Sequence, residues 1–266
     1  MTMYSPPGKE ERCCPHWWFS AWNRLVNSTL SIVGEPVLLS KPGCFYIDTH
    51  VHTLFSRCSI TQPMDLLLRA ARIGLSGIAV LDHNNPQGAR DTAACAEYLK
   101  ENDLLPQNFL VIPGQEINTN KGHLGALFTL ETYPIDLSPV DLTERVHQDG
   151  GLVVAVHPFH STGIGEALFD VPLDLLEVDC GAIYDKSLSA KARSLMSDER
   201  LRNVGAIGSS DAHYVNAVGM CYTTVTGNDI TLEGVKEAML TGRTESQHSH
   251  MHGKVERMLG KIAKLR

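Results

Sequence analysis

The chain has 266 residues, of which 43% are hydrophobic and 20% charged, and its formal net charge is -7. This length fits one large α/β domain or two small ones, and the composition is that of an ordinary globular protein. The acidic balance argues against binding of long duplex nucleic acid, although a local basic patch or bound cations could still receive a phosphate group.

The seven cysteines are an odd number without a CxxC pair, and no secretory signal opens the chain, so we expect a cytoplasmic protein. No apolar run reaches the roughly 20 residues that a transmembrane helix needs. All three tryptophans lie within residues 17–22, in a segment with a helical pattern. This helix either covers the domain or lies at a membrane interface, and its shortage of lysine and arginine favours the first interpretation.

The chain divides into three segments. Pro42-Gly43 interrupts it, so we expect residues 1–43 to form a Trp-rich helical leader and residues 44–244 to form the main domain. Residues 245–266 carry His248, His250 and His252 and a pattern typical of a basic amphipathic C-terminal helix. The histidines of this tail are either simply exposed or an adventitious metal site. The oligomeric state is left open.

Strands and helices are predicted to alternate along the main domain. Apolar runs indicate strands at 44–47, 78–81, 109–112, 123–128, 152–156, 175–178, 204–208 and 222–225. Amphipathic patterns indicate helices at 63–73, 87–100, 138–148, 187–201 and 231–240. Short apolar strands between amphipathic helices favour a mostly parallel sheet, and closure into a barrel is the natural arrangement for this many units.

The first strand ends in the sequence Asp48-Thr49-His50-Val51-His52-Thr53. Alternate side chains of a strand share a face, so His50 and His52 are expected to point the same way. Two imidazoles on one rigid backbone make half of a metal site. Because a lone His-x-His motif can equally be a pair of hydrogen-bonded polar residues, the interpretation depends on partners elsewhere in the chain.

Further metal-binding side chains follow other predicted strands, where a parallel barrel places its active site. One histidine, His123, instead begins its strand. Eight donors are too many for one tetrahedral ion, so we expect two or three divalent ions of Mn, Zn or Fe, with a carboxylate bridging two of them. The eight candidate ligands are His50, His52, His83, Glu116, His123, His157, Asp211 and His213.

These residues also carry a family resemblance. The relevant segments are 48–53 (DTHVHT), 81–84 (LDHN), 114–116 (GQE), 122–123 (GH), 157–158 (HP) and 209–213 (SSDAH). In order and spacing they resemble the motifs of the polymerase and histidinol phosphatase (PHP) family, over about residues 44–219. The resemblance implies a distorted (β/α)7 barrel, flanked here by the N- and C-terminal helical extensions, and a two- or three-metal phosphoesterase.

The resemblance also implies how the ligands are grouped. One ion would be held by His50, His52, Glu116 and Asp211. Glu116 would bridge to a second ion held by His123 and His157, and His83 and His213 would hold a third.

One position departs from the family pattern. Family members commonly have an Asp or His ligand where this chain has Arg57 and Cys58. The third ion is then weak, absent or completed by Cys58. Alternatively, Arg57 binds a substrate phosphate, since its planar guanidinium matches that anion.

The expected chemistry is hydrolysis of a phosphate mono- or diester by a metal-bound hydroxide. The substrate would be a small phosphometabolite, a nucleotide or the end of a short oligonucleotide. We expect Asp82 to orient a ligand histidine and consider His160 a candidate acid for the leaving oxygen. The competing hypothesis is a noncatalytic, metal-stabilised regulatory module. Acyl transfer is disfavoured because the sequence has neither a GxSxG motif nor a recognisable cysteine nucleophile.

Overall fold

The computed structural model describes residues 17–182, 186–228 and 230–250. The helices are α1 (Trp17–Val33), α2 (Pro63–Ile73), α3 (Gln87–Glu101), α4 (Pro139–Gln148), α5 (Lys186–Ser194) and α6 (Leu232–Leu240). The strands are β1 (Cys44–Val51), β2 (Gly77–Val80), β3 (Leu110–Ile112), β4 (Gly114–Thr119), β5 (Gly122–Leu127), β6 (Leu152–Ala155), β7 (Leu175–Cys180), β8 (Gly205–Ser209), β9 (Cys221–Thr226) and β10 (Thr244–His248). None of the helices in these ranges is both long and apolar enough to cross a bilayer.

The strands form two five-stranded sheets, in the orders β10-β9-β1-β2-β3 and β4-β5-β6-β7-β8. Pairing is parallel within β1-β2-β3 and within β6-β7-β8. The four remaining pairs are antiparallel, so the expectation of a mostly parallel sheet is only half right. A mixed α/β fold is confirmed, while a single closed sheet is not found in the described ranges.

The two sheets meet at the ends where β1, β2 and β8 finish. The His52 N–H donates to the Ala212 carbonyl over 2.9 Å, and the Asn84 N–H donates to the Glu116 carbonyl over 2.7 Å. Bridges of parallel type join Val51 to Ala212 and His83 to Glu116. These junctions bring the residues that follow several strands to one rim of the molecule.

Local sequence explains where the helices around this rim begin and end. Pro63 begins α2, where its missing N–H costs no hydrogen bond, and Gly74 ends the helix in the left-handed conformation at φ 96°. Ser138 caps α4 by accepting the Asp141 N–H. The inner faces of these helices and the apolar strand residues are buried. Together they form the hydrophobic core beneath the rim.

The region after β3 differs from the prediction. The sequence was expected to leave the strand at residue 112, with Glu116 beyond the strand end. Instead, β4 starts at Gly114 and forms an antiparallel hairpin with β5, in which Glu116 is paired with Gly125. Glu116 therefore lies within a strand, and the hairpin also brings His123 to the rim.

Two further boundaries differ. The helix expected at 187–201 ends at Ser194 and continues as short 3₁₀ turns at Leu195–Ser197 and Glu199–Leu201. The tail expected from residue 245 begins instead with β10, whose polar residues pair with β9. Residues 251–266, which include His252 and most of the predicted amphipathic helix, lie outside the described residues. The division into three segments stays a prediction.

Helix α1 contacts the rim from outside the sheets. Leu30 and Asn23 are buried on its inner side, whereas Trp22, Leu25 and Ile32 are 61%, 61% and 86% exposed. The Asn23 side chain donates to the Cys58 carbonyl over 2.5 Å. The helix thus covers part of the domain while presenting apolar side chains outward.

Candidate metal centre

The candidate metal centre is built on the end of β1. His50 and His52 lie on the same face of this strand, as its alternation predicts, and both are fully buried. Their Nε2 atoms are 3.0 Å apart. Two imidazole nitrogens this close, with no water-exposed surface, need a shared proton, a carboxylate or a cation between them.

Glu116 is the central carboxylate. Its Oε2 lies 3.4 Å from His50 Nε2, 3.3 Å from His52 Nε2 and 3.2 Å from His83 Nδ1. Its Oε1 faces a different pair, 2.5 Å from His123 Nδ1 and 3.0 Å from His157 Nε2. One carboxylate therefore divides its two oxygens between two groups of imidazoles, which is the arrangement of a bridging ligand.

Asp211 and His213 close the group from the segment that follows β8. Asp211 Oδ1 lies 3.0 Å from His52 Nε2 and 3.6 Å from His50 Nε2. The backbone of Asp211 is left-handed at φ 50°, an unfavourable conformation that turns its carboxylate toward the histidines. The ring of His213 lies 4.4 Å from that of His52.

The electrostatics of the carboxylates suit cation binding. Burial acts to raise the pKa of Glu116, but its interactions with His83, His123 and His157 outweigh it, so this pKa lies well below its ordinary value. Burial opposes ionisation of Asp211 too, yet His50 and His213 hold the pKa of Asp211 low. Both carboxylates are thus ionised at neutral pH.

The histidines divide into two kinds. Burial lowers the pKa of His52, but its interactions with the Asp211 and Glu116 carboxylates overcome this and raise it to about 9. Burial lowers the pKa of His83 to about 3, and burial with the charge of His52 lowers that of His213 to about 4. His83 and His213 are therefore neutral imidazoles, the form in which histidine binds metals.

The residues present fit a centre that binds divalent metal. Three sets have ligand atoms within 4.8 Å of one another: His50, His52 and Glu116; His83, Glu116 and His123; and His52, His83 and His213. Among the described residues, buried Glu116 Oε2, His50 Nδ1 and His157 Nδ1 lack a hydrogen-bond partner. A buried carboxylate oxygen without a donor is costly, and a cation beside it would remove that cost. Imidazole and carboxylate donors suit Zn, Mn or Fe.

Comparisons with known proteins found a family match and related sequences. A family model described as PHP-associated matches residues 199–244. An uncharacterised protein of Methanocaldococcus jannaschii, MJ1587, is 31% identical over 145 residues, which cover 49% of this chain and 79% of the relative. A second protein from that organism, MJ0417, is 30% identical over 183 residues, which cover 66% of this chain and 68% of the relative.

A solved structure shares the fold. It is a two-domain protein of Bacteroides vulgatus described as containing a predicted PHP-like metal-dependent phosphoesterase. It superposes with a TM-score of 0.62 at 23% identity, over 81% of this chain and 68% of the other. A PHP-associated family model thus matches part of the chain, and the fold resembles that of a PHP-like protein.

All eight candidate ligands come together, but their grouping differs in part from the one that the resemblance implies. The group of His50, His52, Glu116 and Asp211 agrees with the one that the resemblance implies. His83, however, approaches Glu116 and His123 as well as His52 and His213. Glu116 thus contacts more of the centre than the implied groups require.

Asp82 lies behind the candidate ligands and reaches them through a hydroxyl. Asp82 accepts the Thr53 N–H over 2.8 Å and the Ser56 hydroxyl over 2.6 Å. Ser56 Oγ lies 3.1 Å from His52 Nδ1 and accepts the His83 N–H over 3.0 Å. Gly88 leaves room for the Asp82 side chain, since a Cβ at position 88 would lie 1.8 Å from Asp82 Oδ2. The orienting role expected for Asp82 stays a prediction, and the contacts that would transmit it run through Ser56, which the sequence reasoning missed.

Two buried carboxylates that support the centre were also missed. Asp48 accepts the N–H groups of Ser210 and Gly219, each over 2.9 Å, and burial raises its pKa to about 6. Glu177, on β7, lies 3.4 Å from His50 Nδ1 and accepts the His157 N–H over 2.5 Å. The available signal was a charged residue inside an otherwise apolar strand, because such a residue needs partners when buried.

Three site candidates remain, namely His160, Arg57 and Cys58. The ring of His160 is 5.7 Å from that of His157, and its Nδ1 lies 3.0 Å from the Thr162 hydroxyl. Arg57 is exposed on the loop after β1, and Cys58 beside it is half-buried. Burial and the charges of Asp211, Glu116 and Asp82 raise the pKa of Cys58, so its thiol stays protonated near neutral pH.

Proposed function

We propose that the protein is a metal-dependent phosphoesterase that hydrolyses a phosphate mono- or diester. The substrate would be a small phosphometabolite, a nucleotide or the end of a short oligonucleotide, and two or three divalent ions of Mn, Zn or Fe would be bound. The observation that carries the proposal is the position of Glu116, whose two oxygens face different groups of imidazoles. Such a carboxylate suits a centre with adjacent ions.

The centre is open on one side, as catalysis requires. The side chains of His50 and His52 are at most 1% exposed, whereas those of His83, His213 and Asp211 are 26%, 22% and 12% exposed. A phosphoryl group would approach over the exposed residues. A purely structural site would instead be closed by protein ligands, which weighs against the noncatalytic alternative.

The protein's residues would have separate roles in the hydrolysis. Bound divalent cations would supply Lewis acidity toward phosphoryl oxygens and a lowered pKa for water. Glu116 and Asp211 would balance the cation charge, and the buried imidazoles would hold a fixed geometry. His160 would give a proton to the leaving oxygen, and Arg57 would contact a non-bridging phosphate oxygen.

We also infer that the two sheets are the halves of a distorted (β/α)7 barrel. The junctions between Val51 and Ala212 and between His83 and Glu116 support this arrangement, since they join both sheets at the rim. A parallel barrel places catalytic residues at the carboxyl ends of its strands, as the candidate metal centre requires.

The test combines metal analysis with turnover. We expect at least one Mn or Zn per chain after reconstitution, and hydrolysis of a generic phosphomonoester or phosphodiester. His50→Ala and Asp211→Ala should each lower turnover at least about 100-fold, since removal of metal ligands removes the charge stabilisation of the transition state. His147→Ala is the matched control, because His147 pairs with Asp174 on the surface. Absence of bound metal together with absence of hydrolysis would refute the proposal.

A further inference from the structure

Glu177 is a buried carboxylate in the middle of β7. It is 2% exposed, although Leu175, Leu176 and Val178 around it form an apolar run. Its Oε1 accepts the Ser209 hydroxyl, and its Oε2 accepts the His157 N–H over 2.5 Å. A carboxylate retained in such a strand requires these partners, and they come from β8 and from the residue that follows β6.

The third neighbour of Glu177 is the ring of His50. His50 Nδ1 lies 3.4 Å from Glu177 Oε1 and has no other partner within the described part of the chain. The opposite ring nitrogen, Nε2, faces Glu116, His52 and Asp211. Glu177 is therefore behind His50, on the side away from the other candidate ligands, and is not itself a ligand.

We propose that Glu177 is a positioning residue of the metal centre, which sets the ring of His50 and the backbone of His157 together. A carboxylate facing Nδ1 favours the tautomer with its proton on Nδ1, and this leaves the Nε2 lone pair free for a cation. The inference rests on the proposed metal binding but assigns a residue that the ligand motifs do not include.

The backbone of His157 supplies the second part of the argument. Its φ of 27° lies in the left-handed region, which is unfavourable for a residue with a side chain. Glu177 accepts the N–H of this residue, while His157 Nε2 lies 3.0 Å from Glu116 Oε1. One carboxylate therefore stabilises the strained backbone that follows β6 and orients a ring on β1, so both would move if it were changed.

Glu177→Gln separates this role from simple packing. The amide has nearly the same volume, and its oxygen can still accept the His157 N–H. Its NH₂ group would then face His50 Nδ1 and favour the tautomer with the proton on Nε2, which cannot bind a cation. We expect the affinity for Mn²⁺ or Zn²⁺ to fall about 10- to 100-fold.

The matched control is Asp179→Asn, two residues along the same strand. Asp179 is 3% exposed and pairs with Arg193, His248 and Ser246, but it faces none of the candidate ligands. Metal affinity is measured on the full chain by competition with a chelating dye, using Mn²⁺ and Zn²⁺ as probes. Asp179→Asn should lower the free energy of unfolding and leave the affinity within about threefold.

The outcomes separate this inference from the proposed function. Absence of metal binding by the wild-type chain overturns both. Binding by the wild type together with an unchanged affinity in Glu177→Gln overturns this inference alone, as does an equal loss in Asp179→Asn. If Glu177→Gln does not fold, Glu177→Asp is used, because it withdraws the carboxylate from His50 by one methylene. An affinity within threefold of wild type in that variant also overturns the inference.

Discussion

Ser56 links two parts of the candidate metal centre through a single hydroxyl. Because this hydroxyl donates to Asp82 Oδ1, its oxygen is left to accept from His52 Nδ1, which lies 3.1 Å away. The proton of His52 is thereby held on Nδ1, and Nε2 faces the other candidate ligands. The same oxygen also accepts the backbone N–H of His83 over 3.0 Å.

Ser56→Ala should therefore weaken metal binding more than its size suggests. We expect about a 10-fold loss of Mn²⁺ or Zn²⁺ affinity and a loss of about 1–2 kcal/mol in the free energy of unfolding. Dye competition measures the first and urea denaturation the second. Thr143→Ala is the control, since Thr143 is also buried and donates to the Pro139 carbonyl, far along the chain from the site. Equal metal affinity in both variants would contradict the prediction.

Elements that depend on apolar pattern were predictable from sequence, and those that depend on partners were not. Strands β2 and β6 are continuous apolar runs, β1 and β8 begin with one, and the polar residues that follow these runs were correctly expected at one rim. Strand β4 carries Gln115, Glu116 and Asn118, so its residues show no hydrophobic periodicity. Strand β10 is polar as well, and only its pairing with β9 makes it a strand.

The candidate site follows the same division. Candidate ligands next to recognisable strands could be predicted because their residue types and spacing suit metal binding. Glu177 and Ser56 were missed because their roles depend on which side chains the fold places beside them. No spacing along the chain relates Glu177 to His50, since β7 and β1 belong to different sheets.

In the segment between α1 and β1, the Glu35 carboxylate forms ion pairs with α2. Glu35 pairs with Arg69, whose side chain is only 1% exposed, and with Arg72, whose side chain is 58% exposed. Removing Glu35 leaves the buried guanidinium without its counter-ion, which costs far more than loss of a surface pair.

Glu35→Ala should lower the free energy of unfolding by about 1–3 kcal/mol, and Arg72→Ala by less than about 1 kcal/mol. Urea denaturation of each variant provides the comparison. The double variant Glu35→Ala/Arg69→Met should recover part of the loss, because it also removes the buried charge. A double variant less stable than Glu35→Ala would show that Arg69 is held by packing and not by its charge.

At the scale of the whole molecule, helix α1 contacts two loops of the candidate metal centre. Asn23 of α1 donates to the Cys58 carbonyl in the loop after β1. Asn27, one turn later, accepts the Asn216 N–H over 2.9 Å in the segment after His213. The two loops also contact each other, since the Ile60 N–H donates to the His213 carbonyl over 3.1 Å. Helix α1 thus holds the parts of the site that carry Arg57, Cys58 and His213.

The double variant Asn23→Ala/Asn27→Ala should loosen both loops while the sheets stay intact. Each loop loses one hydrogen bond worth about 1 kcal/mol, so local opening should become roughly fivefold more frequent. Amide hydrogen exchange should therefore speed up by about that factor at residues 54–61 and 213–218, and stay unchanged in β6 and β7. Ser31→Ala, which alters only the exposed side of α1, is the matched control. Faster exchange throughout the chain would mean that α1 stabilises the whole domain and does not act specifically on the site.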